Sequence, residues 1–183
     1  IGAPRSPTGG RAGMNRRVLF SLPAALSGRT DLVAGLLDPF GAPAAALERP
    51  EELLTPGGPL FVPTNGQVVL LDTPDFDTGA VGRYTNRDSA RSALEAADIL
   101  IYVFTNSNYN NRDNTDFIAQ MLTGIGRRKC FLVYRAYHGF TEGEVVEHAL
   151  TVAHHIYGEE ADRYLLGIYR ADEDNRVAAG EAP

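Results

Sequence analysis

Apolar residues along the chain fall into short blocks separated by polar, glycine and proline residues. The most informative block lies within residues 67–78, Q-V-V-L-L-D-T-P-D-F-D-T. Its four consecutive apolar positions, 68–71, predict a short, fully buried strand. Pro74 has no amide hydrogen for a ladder, so the strand is expected to stop about there. Asp72 and Thr73 would then stand at the carboxyl end of a buried strand, the edge at which open α/β sheets bind ligands. A carboxylate in that place commonly holds Mg²⁺ through water beside a phosphate.

The other blocks alternate in type. Residues 1–13 are rich in Gly and Pro and predict loop. Residues 16–22 predict a strand ended by Pro23, and 30–37 a short helix with Leu32, Val33, Leu36 and Leu37 as its stripe. Residues 24–66 read as an irregular insertion between two strands, with one helical turn near 51–54. Helices are predicted over 86–97, 114–122 and 141–157, and buried strands over 99–104, 130–134 and 164–169. Asn114 or Thr115 serves as N-cap of the middle helix, and Thr141 with Glu144 forms a capping box for the last. Buried strands alternating with helices imply an α/β fold, a mostly parallel sheet in three layers with helices on both faces.

Composition narrows the function classes. The 183 residues suffice for one domain with a real core, at 44% hydrophobic and 22% charged. A net charge of -6 argues against broad nucleic-acid or anionic-membrane binding through charge alone. One cysteine, Cys130, allows no internal disulfide and reads as inert packing within a strand. No apolar run approaches the roughly 18 residues of a membrane span, and a cytoplasmic location is expected. His148, His154 and His155 share a predicted helix without the i, i+4 spacing of a zinc pair, and His138 lies in a loop. Opening at Ile1 in a Gly/Pro loop, the sequence reads as an excerpt of a longer protein.

The order of these elements, with D-T-P-D at 72–75, resembles a P-loop GTPase domain of the dynamin-like or Era-like type from its first switch onward. The D-T-P-D stretch is similar to the family's D-x-x-G motif, with Asp75 standing where the family has Gly. The resemblance implies GTP binding and hydrolysis with Mg²⁺. Asp72 would hold the metal through water, and Thr73, Pro74 and Asp75 would form the second switch turn. Thr8, in the loop R-S-P-T-G-G, resembles the first-switch threonine that closes on Mg²⁺. After the strand at 130–134 the family reads guanine with N/T-K-x-D. Here Arg135, Ala136, Tyr137 and His138 stand in that place, and Arg135 offers a plane that stacks on a base. The phosphate loop G-x-x-x-x-G-K-S/T does not occur in the sequence, so the domain would lack its first strand and the group that cradles phosphates. The resemblance also implies dimerisation across the nucleotide face and leaves room for peripheral membrane contact.

Two other readings fit the same residues. Asp75 and Asp77 resemble the nucleophile and general acid/base of a haloacid-dehalogenase-like phosphatase. Thr105 and Asn106 would supply its second motif, Lys129 would neutralise charge, and Asp172 with Asp174 loosely match its closing acidic pair. The third reading is a non-catalytic pseudo-GTPase scaffold, in keeping with the altered D-x-x-G and the missing guanine-reading motif.

Overall fold

The computed structural model describes residues 15–26, 28–74, 83–105, 112–124, 128–136 and 139–172. The chain divides into two compact units at Ala97/Asp98, each with its own sheet.

In the first unit, β1 (Leu19–Pro23) is buried along its whole length. It owes this to apolar residues on both faces. Val18, Phe20 and Leu22 point to one side, where Leu36, Leu37 and Phe40 cover them. Phe20 meets Phe40 edge to face, with ring centroids 5.2 Å apart. Leu19 points to the other side, into a cluster with Leu53, Leu60 and Val62. The covering elements are α1 (Thr30–Leu37), the 3₁₀ turns Asp38–Phe40 and Pro50–Leu54, and α2 (Arg83–Ala96), whose Ala93 enters the Phe20 side. β1 runs parallel to β3 (Leu60–Thr64) and antiparallel to β4 (Leu70–Asp72). The two-residue β2 (Ala45–Ala46) completes the order β2-β3-β1-β4.

Two expectations change here. Besides the expected helix α1, the span 24–66 holds two strands that were not expected, β2 and β3. Pro63 hid β3; it pairs with Leu22 inside a parallel ladder, where a proline is costly and argues against a strand. The strand at 68–71 is not fully buried. Only Leu70–Asp72 pair, at the edge of the sheet, and Val68 lies outside the strand at 72% exposure. A run of four apolar residues reads the same whether the strand is central or terminal, so the pattern could not tell the two apart.

In the second unit, β5 (Ile99–Phe104), β6 (Lys129–Arg135) and β7 (Leu165–Ala171) form a parallel sheet in that order. The connections are α3 (Arg112–Gly124), then α4 (Glu142–Tyr157) followed by the short α5 (Ala161–Tyr164). α4 packs on β6, on β7 and on α3. The covered face of the sheet carries Tyr102, Phe104, Cys130, Leu132 and Tyr134, all buried. Ile99, Ile101 and Val103 point to the other face and are 47%, 51% and 55% exposed. β5 is therefore half-buried, not buried on both faces as its unbroken apolar run predicted.

The ends of α4 follow local chemistry closely. Thr141 Oγ1 accepts from the Glu144 amide at 3.3 Å, while the Thr141 amide donates to Glu144 Oε2 at 2.8 Å. Those bonds, the Thr141 backbone first, hold the Glu144 carboxyl below its ordinary range. Gly158, at φ 59° and ψ −134°, ends the helix in a conformation that a side chain would strain. By contrast, α3 begins at Arg112, so Asn114 and Thr115 are inside it and not its cap. Thr115 is buried there.

Candidate functional site

The sequence places its candidate chemistry at strand ends, and the two units position those ends separately. In the first unit Asp72 closes β4, opposite Leu19 of β1 and in line with Leu60 of β3. Because β4 runs against β1, its carboxyl end lies with the amino ends of β1 and β3. Asp72 is exposed, Thr73 is half-buried and Pro74 is fully buried. An exposed aspartate at the end of the strand is thus followed, two residues on, by a buried proline whose ring fixes φ at that point. Thr8 and Asp75, the other residues of the expected switches, lie outside the described residues, as do Asp77, Asn106, His138 and Asp174.

Arg17, which the sequence reading passed over, stands at the same edge, two residues before Leu19. Its Nε donates to the Gly58 carbonyl oxygen at 2.6 Å. The fit is close, since a Cβ on Gly57 would meet the Arg17 guanidinium carbon at 2.9 Å. Its sequence signal was the pair Arg16-Arg17 at the start of the strand predicted over 16–22, which a solvated charge gives equally well.

In the second unit Arg135 is the last residue of β6, exposed and paired with Ala171 of β7. The Ala136 amide extends that pairing by donating to the Ala171 carbonyl at 3.0 Å. Around this carboxyl end Arg170 ties three segments together. Its Nε donates to both oxygens of Asp172 at 2.8 and 2.9 Å, and its Nη1 to the Phe140 carbonyl at 2.8 Å and to Glu142 Oε1 at 3.1 Å. The Asp172 hydrogen bonds, and then the charges of Asp172 and Glu142, push the guanidinium even higher than usual. The Phe140 ring in turn leans on Tyr134 and His148, which stack at 5.6 Å. The loop after β6, where a base-reading segment is expected, is therefore pinned at its far end by Arg170 and by the α4 cap.

Cys130 is wholly buried, and burial pushes its thiol up, away from the reactive thiolate. Tyr157, whose hydroxyl donates to the Arg128 carbonyl at 2.7 Å, is likewise pushed up by burial. Both behave as packing. His155 sits 2.9 Å from Asp116, joining α4 to α3. Lys129 begins β6 and pairs with Ile99, at the amino end of the sheet. Thr105 follows β5, at the carboxyl end. Six residues of strand, about 20 Å, separate those ends, so Lys129 cannot neutralise charge beside Thr105.

Asp72 and Thr73 offer hard oxygen donors of the kind Mg²⁺ takes. Among the described residues no three His, Cys, Asp or Glu side chains group to hold a metal. That donor set suits a hydrated Mg²⁺, which binds through one or two carboxylates with water and phosphate completing its shell. No helix among the described residues is long and apolar enough to cross a membrane. No protein-family model, curated protein or solved structure matches the chain.

Proposed function

We propose that the chain carries the switch portion of a GTP-binding and GTP-hydrolysing domain of the dynamin-like or Era-like type. The observation that carries the reading is the stretch Asp72-Thr73-Pro74, an exposed aspartate at a strand end followed by a buried proline. Asp72 would hold Mg²⁺ through water, together with Thr8, and Thr73, Pro74 and Asp75 would form the turn that answers to the third phosphate. The bound ion would neutralise charge on the phosphates. The chain's own part would be positioning, with the Asp72 carboxylate held at the end of β4 and the Asp75 amide left for a phosphate oxygen in the manner the family resemblance implies. Arg135 would lie over the base. Dimerisation across the nucleotide face belongs to the same reading.

The phosphate cradle is not encoded in these 183 residues, so the activity belongs to the natural polypeptide that contains them. Two departures, Asp75 for Gly and R-A-Y-H for the guanine-reading motif, favour a second reading in which the domain is a non-hydrolysing scaffold. GTP hydrolysis by the natural polypeptide separates the two. Turnover that falls at least about tenfold in Asp72→Ala is expected for the enzyme. No turnover, with folding intact, is the result for the scaffold.

A further inference from the structure

A partly buried guanidinium gives up water over part of its surface, and proteins offset that with carboxylates and carbonyls around it. Arg170 is provided for in this way, by Asp172, Glu142 and the Phe140 carbonyl. Arg17, in the first unit, is provided for differently. It is half-buried, and its one hydrogen bond among the described residues runs from Nε to the Gly58 carbonyl. No carboxylate among the described residues pairs with it, although the chain as a whole is acidic, at a net charge of -6. Its backbone is held on both sides: the Arg16 amide donates to the Leu53 carbonyl at 2.7 Å, and the Leu60 amide to the Val18 carbonyl at 2.9 Å. The side chain is held as well. Its guanidinium lies against Gly57, where a Cβ would come within 2.9 Å of the guanidinium carbon and 3.2 Å of Nη2. With Nε spent on the carbonyl, the Nη donors remain, a planar fork of the kind that matches the oxygens of a phosphate or a carboxylate.

We propose that Arg17 is an oxyanion-binding residue seated on Gly57 and Gly58, and that its ligand is a phosphate group. The seat stands on those three residues alone. The choice of phosphate over carboxylate rests on the nucleotide reading, because Arg17 lies at the edge where β1 and β3 begin and where β4 ends in Asp72. A fixed guanidinium recognises an anion without first having to be ordered, so little side-chain freedom is lost on binding. The role is binding, and no bond is made or broken by it. A single arginine without a cradle of amides holds phosphate weakly, so the affinity expected of this chain is in the millimolar range.

Nuclear magnetic resonance of the 183-residue chain tests this, with the Arg17 Nε–H resonance followed as metal-free inorganic pyrophosphate is added over about 0.1 to 20 mM. The expected result is a saturating shift. In the variants the affinity is read from the Gly58 amide. Arg17→Gln is expected to weaken binding at least about tenfold. Gly57→Ala keeps every charge but puts a Cβ where the guanidinium lies, and is expected to weaken binding at least about threefold. Arg16→Gln removes the exposed neighbouring charge and is expected to change the affinity less than about twofold. Malonate, a dicarboxylate, is expected to bind more weakly than pyrophosphate. A wild-type Nε–H resonance that stays in place throughout the titration overturns the proposal. So does an Arg16→Gln effect as large as that of Arg17→Gln, which makes the contact diffuse charge, or a Gly57→Ala variant that binds as wild type does. Malonate binding as tight as that of pyrophosphate overturns the assignment to phosphate. These failures leave the magnesium dependence assigned to Asp72 untouched, and a loss of that dependence leaves a pyrophosphate shift at Arg17 standing.

Discussion

At the scale of single residues, Pro74 and Thr141 show how little sequence is needed to fix a backbone position. Pro74 is fully buried two residues after Asp72, and its ring fixes φ where the chain leaves β4. Thr141 accepts the amide that α4 would otherwise leave unsatisfied. Thr141→Ala should destabilise the second unit by about 1 kcal/mol in a denaturant melt. The Glu144 side of the same box makes a pH prediction. Its carboxyl is lowered in the folded chain, so its contribution is complete above the ordinary glutamate pKa and is lost as pH falls through the lowered folded value. Wild type and Glu144→Gln should therefore differ in melting temperature near neutral pH and converge only as pH falls through that lowered folded value. A gap that stays constant into acid would remove the carboxylate from the account.

At the scale of elements, the two faces of the second sheet should respond differently to truncation. Leu132 is fully buried under the α4 side, and Leu132→Ala should cost about 2–5 kcal/mol. Ile101, half exposed on the other face, should cost no more than about 1 kcal/mol as Ile101→Ala. Equal losses in urea melts would mean that both faces are covered. This contrast also marks where the sequence was legible. Helices over 83–96 and 142–157 and strands over 99–104 and 129–135 were readable because each pattern has one dominant period or a clear stop. β3 was not readable, because Pro63 signals the opposite of a ladder, and its pairing with Leu22 depends on residues some forty positions away. Burial of 68–71 and of β5 was overread for a related reason. Whether an apolar strand is central or terminal depends on neighbours that local pattern does not encode. Around the candidate site, the end of a strand at Asp72 was legible, and the burial of Pro74 was not. Arg17 was not, since its place beside that edge follows from register.

At the scale of the whole molecule, the account divides labour between what these residues hold and what they lack. They hold an exposed carboxylate at the end of β4 and an exposed arginine at the end of β6. They encode no G-x-x-x-x-G-K-S/T to supply amides and a lysine to the phosphates. The 183-residue chain alone should therefore bind GTP weakly, with a dissociation constant no tighter than about 100 µM in calorimetry, because without the cradle most of the phosphate contacts are missing. Tight, Mg²⁺-dependent binding by this chain would show that another part of it cradles phosphate.

The central claim is that Asp72 links a bound nucleotide to its metal. Equilibrium binding of GTP to the natural polypeptide containing these residues, with and without Mg²⁺, tests it most directly. Wild type should gain at least about tenfold in affinity with Mg²⁺, and Asp72→Ala should lose most of that gain while keeping its metal-free affinity. An Asp72→Ala protein with the same magnesium dependence as wild type would contradict the account.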